Sequence, residues 1–487
     1  MRGRELHVLG GIVAVAALVR LLTLDGQSFW LDEAVTVGLV EMSLGDMLDR
    51  IPESESTPPL YYVVAWLWAK VFGTGEVGLR SLSALCGIAF VPVMYAAAAR
   101  AAGVRAGLIA AAIAALSPIL VWYSQEARAY SLLVLLAGLS FLFFIRLLTG
   151  EPRRRTLVLW ALFSALALAT HYFAAFLVAV EAVWLLYAAA NRRPVAVAVA
   201  AVVAVQAALL PLLLHQRSLD LADFIDNTGL GYRLVRAPKQ FLVGFDAPGE
   251  AVIGVAAGAL VLLALWFVWS RGDERDQRAA RIGAIVGGLP VLSAAVLALA
   301  GVDYLDTRNL LIAWPPLALV VAAGLGAMRA GTAGLAAAGG LVLIGALTIV
   351  FVAAKPTLQR DDWRGATEVL EGGATPRAVV VSPGSAGMPF AIYAPDLEQM
   401  APAGAAVREI DLVALPPRGR SQGAAETPPR PAEHPPPLAG FKLVERRFED
   451  AYTVMRFRSP RAKRVTPLAL KSAHVDVDAT KGVFLER

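Results

Sequence analysis

Two adjacent carboxylates stand in the stretch Phe29-Trp30-Leu31-Asp32-Glu33-Ala34, just past the first hydrophobic segment of a 487-residue chain. Carboxylates are among the side chains that take and release protons in catalysis. Asp32 and Glu33 sit beside two aromatic rings, next to sequence that is almost entirely membrane-forming. The alternative is a solvated acidic loop, and these six residues alone do not separate the two readings. A second polar group is Tyr123, Gln125, Glu126, Arg128 and Tyr130. A spacing of two puts Glu126 and Arg128 on different faces of a helix, so the group cannot line one groove if that segment is helical. The break at Ser117-Pro118 points to a turn. Glu126 and Arg128 could also pair with each other to lower the cost of charge near lipid. His171 and Arg308 are single polar residues at the ends of apolar runs. A lone histidine is more often structural than a ligand, and an arginine at such a place can be a simple interfacial anchor.

The elements that must hold these residues are membrane helices. The chain is 57% hydrophobic and only 17% charged, where soluble proteins have about 25% charged residues. A spanning helix needs about 20 mostly apolar residues. That criterion places eleven spans, at 6–24, 78–99, 104–121, 128–148, 156–171, 172–190, 194–214, 250–270, 282–300, 308–328 and 332–354. Met1 to Leu24 has the basic start of a signal peptide but no small-residue cleavage site before the acidic pair, so it reads as a retained first helix. The formal charge of +5 does not point to nucleic acid. The basic residues cluster between apolar runs, at Arg2/Arg4, Arg100/Arg105, Arg153-Arg154-Arg155, Arg192-Arg193, Arg271 to Arg281 and Arg329. With the N-terminus inside, all of them fall on the cytoplasmic side.

This parity requires Pro58–Gly73 to lie on the outer surface rather than cross. The run is only about 16 residues long, and its Tyr61, Tyr62, Trp66 and Trp68 suit the headgroup level. Residues 25–77 then form one outer loop, with a short amphipathic helix near Ser43–Ile51 and the aromatic helix after it. The same face would receive Trp122–Arg128, His171, the loop 215–249 and Asp303–Arg308. The single cysteine, Cys86, is in an apolar run, and no intrachain disulfide can form. After residue 354 no span remains. Trp363–Leu370 reads as a short amphipathic helix, Arg377–Ser382 as a strand, 416–437 as a Pro-rich loop, and Phe441–Phe457 as two strand-like pieces. The fold class is therefore an all-α membrane bundle over 1–354 with a small α/β domain over 355–487.

Several segments together resemble a known family: FWLDEA (29–34), TPPLYY with FGTGEVGLRSLSAL (57–85), LSPILVWYSQEARAYSLL (116–133), THYFAAF (170–176) and TRNLLIAWPPLALVVAAG (307–324). They look like the polytopic GT-C glycosyltransferases, in the branch related to protein O-mannosyltransferases and aminoarabinose lipid A transferases. The resemblance runs in order through nearly all of 1–354, and the C-terminal domain is similar to the small extracytoplasmic domain of such proteins. It implies transfer of a sugar, with inversion, from a polyprenyl-phosphate donor to an envelope lipid, glycan or protein. On this resemblance Asp32 matches the acid that activates the acceptor, and Glu33 would orient the site or bind acceptor. Tyr61, Tyr62, Tyr123, Gln125, Glu126, Arg128, Tyr130, His171 and Arg308 would contact substrate.

Some relatives bind a divalent cation through a Glu directly before the Pro-containing motif. Here Ser56-Thr57 precede Pro58, with Glu53 and Glu55 earlier, so no metal ligand set is assigned and a divalent cation stays open. Without a metal, arginine must offset the charge of the departing phosphate. Arg308 is the first candidate, with Arg233, Arg236 and Lys239 behind it. The expected partners are a polyprenyl-phosphate-linked sugar, membrane lipids and an envelope acceptor, and the expected location is a bacterial inner membrane. A transporter or flippase for a lipid-linked saccharide would instead need mid-membrane charges and broken helices in paired halves. A non-catalytic envelope scaffold would leave Asp32 without a role.

Overall fold

The computed structural model describes residues 3–150, 153–220, 225, 228–370, 373, 376–382, 384, 387–414, 438–449, 452–471 and 482–486. The Pro-rich segment 416–437 lies outside the described residues. The chain divides into two compact units: Met1–Leu24 with Leu39–Val352, and Asp25–Gly38 with Ala353–Arg487.

Among the described residues of 3–353 there are sixteen α-helices: α1 (Gly3–Leu21), α2 (Leu31–Glu41), α3 (Leu44–Ser54), α4 (Leu60–Phe72), α5 (Glu76–Ala102), α6 (Val104–Ala115), α7 (Pro118–Ser124), α8 (Tyr130–Thr149), α9 (Arg154–Thr170), α10 (Ala174–Ala188), α11 (Arg192–Ser218), α12 (Leu230–Val243), α13 (Glu250–Ser270), α14 (Glu274–Leu299), α15 (Trp314–Gly326) and α16 (Gly331–Ala353). Among the described residues, seven are long and apolar enough to cross a membrane: α5, α8, α11, α13, α14, and α15 and α16 each with its leading 3-10 turn. The pair α6 and α7, bent by 56°, makes an eighth if it is one span. The other three expected spans are helical but fall short by that measure. Helix α1 carries Arg4, Glu5 and Arg20, while α9 and α10 have 17 and 15 residues. Helix α4 has 13 residues, about 20 Å at 1.5 Å per residue against a hydrocarbon core of about 30 Å.

The helical core is built largely from alanine. Ala97, Ala98, Ala101, Ala106, Ala110, Ala111, Ala114 and Ala115 are all buried where α5 and α6 pack. Small residues let helix backbones approach where lipid gives no hydrophobic push. The bend after α6 frees carbonyls, and Arg20 of α1 accepts that task. Its guanidinium donates to Ala115 O at 2.7 Å, Ala114 O at 3.1 Å and Ser124 Oγ at 3.2 Å. Gly87 makes room for this contact, since a Cβ there would stand 2.1 Å from Ser124 Oγ. Within the bundle, Glu181 accepts from Ser140 Oγ at 2.6 Å and Trp160 Nε1 at 2.9 Å.

The second unit contains α17 (Trp363–Glu368), β1 (Arg377–Ser382), α18 (Gly387–Tyr393), β2 (Glu398–Gln399), β3 (Ala405–Ala414), β4 (Lys442–Phe448), β5 (Thr453–Val465), α19 (Pro467–Lys471) and β6 (Gly482–Glu486). The strands form one sheet in the order β2-β6-β1-β3-β5-β4, with β1 and β3 parallel and the other pairs antiparallel. One face packs Ala378, Val380, Ile410, Leu412, Met455 and Phe457. The other packs Val379, Val381, Val413 and Val454 against Trp363 and Phe390. That second face also carries a charge ladder. Arg377 pairs with Asp411 and Glu486, Arg456 with Asp411, Glu409 and Glu445, and Arg458 with Glu409.

Candidate active site

Polar residues of the helical unit gather at one end of its helices. Glu55, just after α3, and Arg128, in the turn between α7 and α8, form a bidentate pair at 2.7 and 2.8 Å. Both are buried. The Arg128 guanidinium lies 5.9 Å from the centre of the Tyr62 ring, and Thr57 Oγ1 is 3.3 Å from the Tyr62 hydroxyl. Burial, opposed by Arg128, pushes that hydroxyl well above the ordinary phenol range, so it is a neutral hydrogen-bonding group. Gln216 of α11 donates to the backbone oxygens of Ile51 and Thr57 and accepts from Tyr172 at 2.7 Å. The end of α3 is thereby tied to α11 and to the α9–α10 junction.

His171 is the residue at that junction, and its ring lies 6.0 Å from the Tyr130 ring, which is 4.8 Å from Tyr123. Burial, then the positive charges of Arg308 and Arg128, lower the imidazole to about 3. The Phe173 N–H donates to Nδ1 at 3.3 Å, so the neutral ring carries its proton on Nε2. His171 is thus a hydrogen-bond donor and not a cation. Arg308 lies 3.7 Å from Asp306, which also accepts from Arg236 at 2.8 Å. Arg233 grips Asp303 and donates to Leu305 O at 2.7 Å. That bond to Arg233 holds the Asp303 carboxyl below its usual range. Lys239 pairs with Glu250 at 2.9 Å. Arg233 and Arg236 of α12 therefore anchor the segment that presents Arg308, while Lys239 ties α12 to the start of α13.

The opposite end of the helices is basic. Arg100 donates to Thr149, the last residue of α8, and Arg275 to the carbonyls of Ala99, Arg100 and Ala101. Arg105 donates to Gly331. Tyr130 and Thr149 bound α8, about 30 Å apart at 1.5 Å per residue.

The structure therefore brings together Tyr62, Arg128, Tyr130 and His171, with Arg308 close enough to act on His171. Gln125 lies in the same turn but donates to Thr23 Oγ1 at 2.6 Å and Val19 O at 3.0 Å, closing the end of α1. Glu126 is buried. Arg128 forms its bidentate pair with Glu55, 73 residues away in sequence. Tyr61 is buried against Tyr62 at 5.4 Å between ring centres. Both oxygens of Glu55, the last carboxylate before Pro58, accept from Arg128. Among the described residues no group of three or more His, Cys, Asp or Glu side chains is placed to hold a metal ion.

Asp32 and Glu33 belong to the other unit. The loop expected for them is a helix, because both stand in the first turn of α2. Glu33 is buried and its Oε2 accepts from the Trp30 N–H at 3.4 Å, satisfying a first-turn amide from within. Asp32 is partly exposed.

Residues 56–215 match the family of dolichyl-phosphate-mannose-protein mannosyltransferases. No curated protein matches the sequence. Among solved structures, ArnT from Cupriavidus metallidurans in the apo state aligns with 12% identity and a TM-score of 0.56, covering 91% of this chain and 97% of that one. The same protein bound to undecaprenyl phosphate aligns with 13% identity and a TM-score of 0.53, with the same coverage. At such identities the likeness is one of fold, and the chain is a multi-pass membrane protein with that fold. The chain is thus similar in residues 56–215 to the protein mannosyltransferases, and similar in fold to ArnT.

Proposed function

We propose that this protein transfers a sugar from a polyprenyl-phosphate donor to an envelope acceptor, with inversion at the anomeric carbon. The match of residues 56–215 to mannosyltransferases carries this reading. A structure of the same fold, ArnT, is bound to undecaprenyl phosphate, which supports a donor of that chemical class. Asp32 takes the proton from the acceptor's hydroxyl or amine. The acceptor's freed electron pair attacks the anomeric carbon as the bond from that carbon to the phosphate oxygen breaks. The polyprenyl phosphate leaves with the bonding electrons, and a single displacement inverts the centre. Arg308 offsets the charge of the departing phosphate. The neutral Nε2–H of His171 and the hydroxyls of Tyr62 and Tyr130 supply further donors. The Glu55–Arg128 pair fixes the turn that carries this group, and Glu33 holds the first turn of the helix bearing Asp32. The protein works at a bacterial plasma membrane, with residues 355–487 outside the cytoplasm.

The test is turnover by purified protein in detergent, read as polyprenyl phosphate released from a polyprenyl-phospho-sugar. Asp32→Asn is expected to lower the rate by about 10²- to 10⁴-fold, the usual range for losing a general base, with an unchanged melting profile. Turnover by Asp32→Asn at the level of the unaltered protein would remove Asp32 as the base.

A further inference from the structure

Residues 25–38 lie before twelve or more helices in sequence, yet they fold with the C-terminal unit. The contacts concentrate on three consecutive residues. Gln27 Oε1 accepts from the backbone N–H of Arg360 at 2.9 Å. Ser28 Oγ donates to Asp361 O at 2.8 Å and accepts from the Trp363 N–H at 2.8 Å. The Phe29 N–H donates to the Tyr393 hydroxyl at 2.7 Å. Arg364 adds a bond to Asp25 O at 3.1 Å, and its guanidinium lies 5.9 Å from the centre of the Tyr393 ring.

The receiving side is itself fixed. Asp362 caps α17 through the Gly365 N–H at 2.9 Å, and Gly365 has no room for a Cβ, which would stand 2.4 Å from Asp362 Oδ2. Trp363 is fully buried against Phe390 and the sheet. Ser28 and Phe29 are each 2% exposed. These are buried, reciprocally satisfied bonds, unlike the pattern of a loop resting on a surface. Helix α2 starts two residues after Phe29, and Asp32 is its second residue.

We infer that the C-terminal unit is a positioning element for Asp32, acting through a clasp of Ser28 and Phe29 by residues 360–363 and Tyr393. The inference rests on the reading of Asp32 as the base. The clasp fixes the backbone from which α2 projects, and so sets the angle and depth of the carboxylate. A displacement of about 1 Å at a reacting group costs on the order of 10²-fold in rate. Ser28 and Tyr393 are therefore positioning residues for a reaction they do not touch. The C-terminal unit thereby holds one part of the reaction machinery in place.

The experiment measures kcat and KM for Ser28→Ala, Ser28→Thr and Tyr393→Phe in the full-length protein, with Asp32→Asn alongside. Hydrogen exchange of the amides of residues 29–36 is followed in each. Ser28→Ala and Tyr393→Phe are expected to lower kcat by about 10- to 100-fold, with KM for the lipid donor within about twofold and faster exchange across 29–36. Ser28→Thr, which keeps the hydroxyl, is expected to recover most of the rate. Tyr393→Phe keeps the ring in the core and stays informative if Ser28→Ala does not fold. An unchanged kcat in both variants overturns the clasp, as does a fall in kcat with unchanged exchange across 29–36. Those results leave the base assignment standing if Asp32→Asn is inactive. Full activity of Asp32→Asn is the separate result that removes the base.

Discussion

His171 shows how burial and charge decide a residue's chemistry. Its imidazole is held at about 3, first by burial and then by Arg308 and Arg128, against an ordinary value near 6.5. Between those values the unfolded chain binds a proton that the folded protein does not. Stability therefore rises with pH across the window. The contribution of the buried neutral ring is complete above about pH 6.5 and is lost as pH falls toward 3. The unaltered protein is expected to lose more stability between pH 7 and pH 5 than His171→Asn, when thermal midpoints in detergent are compared. Parallel slopes for the two proteins would contradict the assignment. Glu55 and Arg128 make the complementary point. Each is a buried charge that is tolerated because the other is present, and removing one partner of such a pair usually costs about 3–5 kcal/mol. The pair was not readable from the sequence, because its members are 73 residues apart. His171 and Arg308 were readable as polar residues at the ends of apolar runs, Tyr130 as a member of the polar group 123–130 and Tyr62 as an aromatic of the surface segment, but which of them met was not.

Elements with strong apolar periods were legible, and those built on buried charge were not. Strand β1 occupies Arg377–Ser382, as its run of valines indicates, and α17 begins at Trp363 as expected. Strand β3 escaped notice because Arg408, Glu409 and Asp411 interrupt the apolar pattern of Ala405–Ala414. Glu409 and Asp411 are fully buried and are answered by arginines on β1 and β5. A sequence window cannot reveal partners on other strands. Helix α2 was missed for a related reason, since an acidic pair followed by Thr36 and Gly38 reads as a loop until Glu33 is seen turned back onto the Trp30 N–H. The bend between α6 and α7 was legible from Ser117-Pro118, but its stabilisation by Arg20 was not. Arg20→Met would leave Ala114 O and Ala115 O without their donor. Unsatisfied buried acceptors cost about 1–3 kcal/mol each, so the variant is expected to melt well below the unaltered protein, and Arg20→Lys to recover part of the loss. A melting temperature unchanged in Arg20→Met would show that the bend is held by packing alone.

At the scale of the whole molecule, the two ends of the helical unit differ in charge and in use. Arg100, Arg105 and Arg275 meet around the ends of α5 and α8, while Glu55, Arg128, His171 and Arg308 occupy the end from which α8 starts. Short basic loops stay in the cytoplasm, so the proposed topology has the second end facing outward. This orientation needs α4 to remain on the surface, and its 13 residues are too few to cross unaided. Ser218 ends α11 and Ser270 ends α13, and both are exposed. The single cysteine, Cys86, is buried, which leaves little background for thiol labelling. In intact cells, Ser218→Cys is expected to react with a membrane-impermeant maleimide, and Ser270→Cys only after lysis. Labelling of Ser270→Cys from outside with protection of Ser218→Cys would invert the protein in the membrane and place the proposed chemistry on the cytoplasmic side.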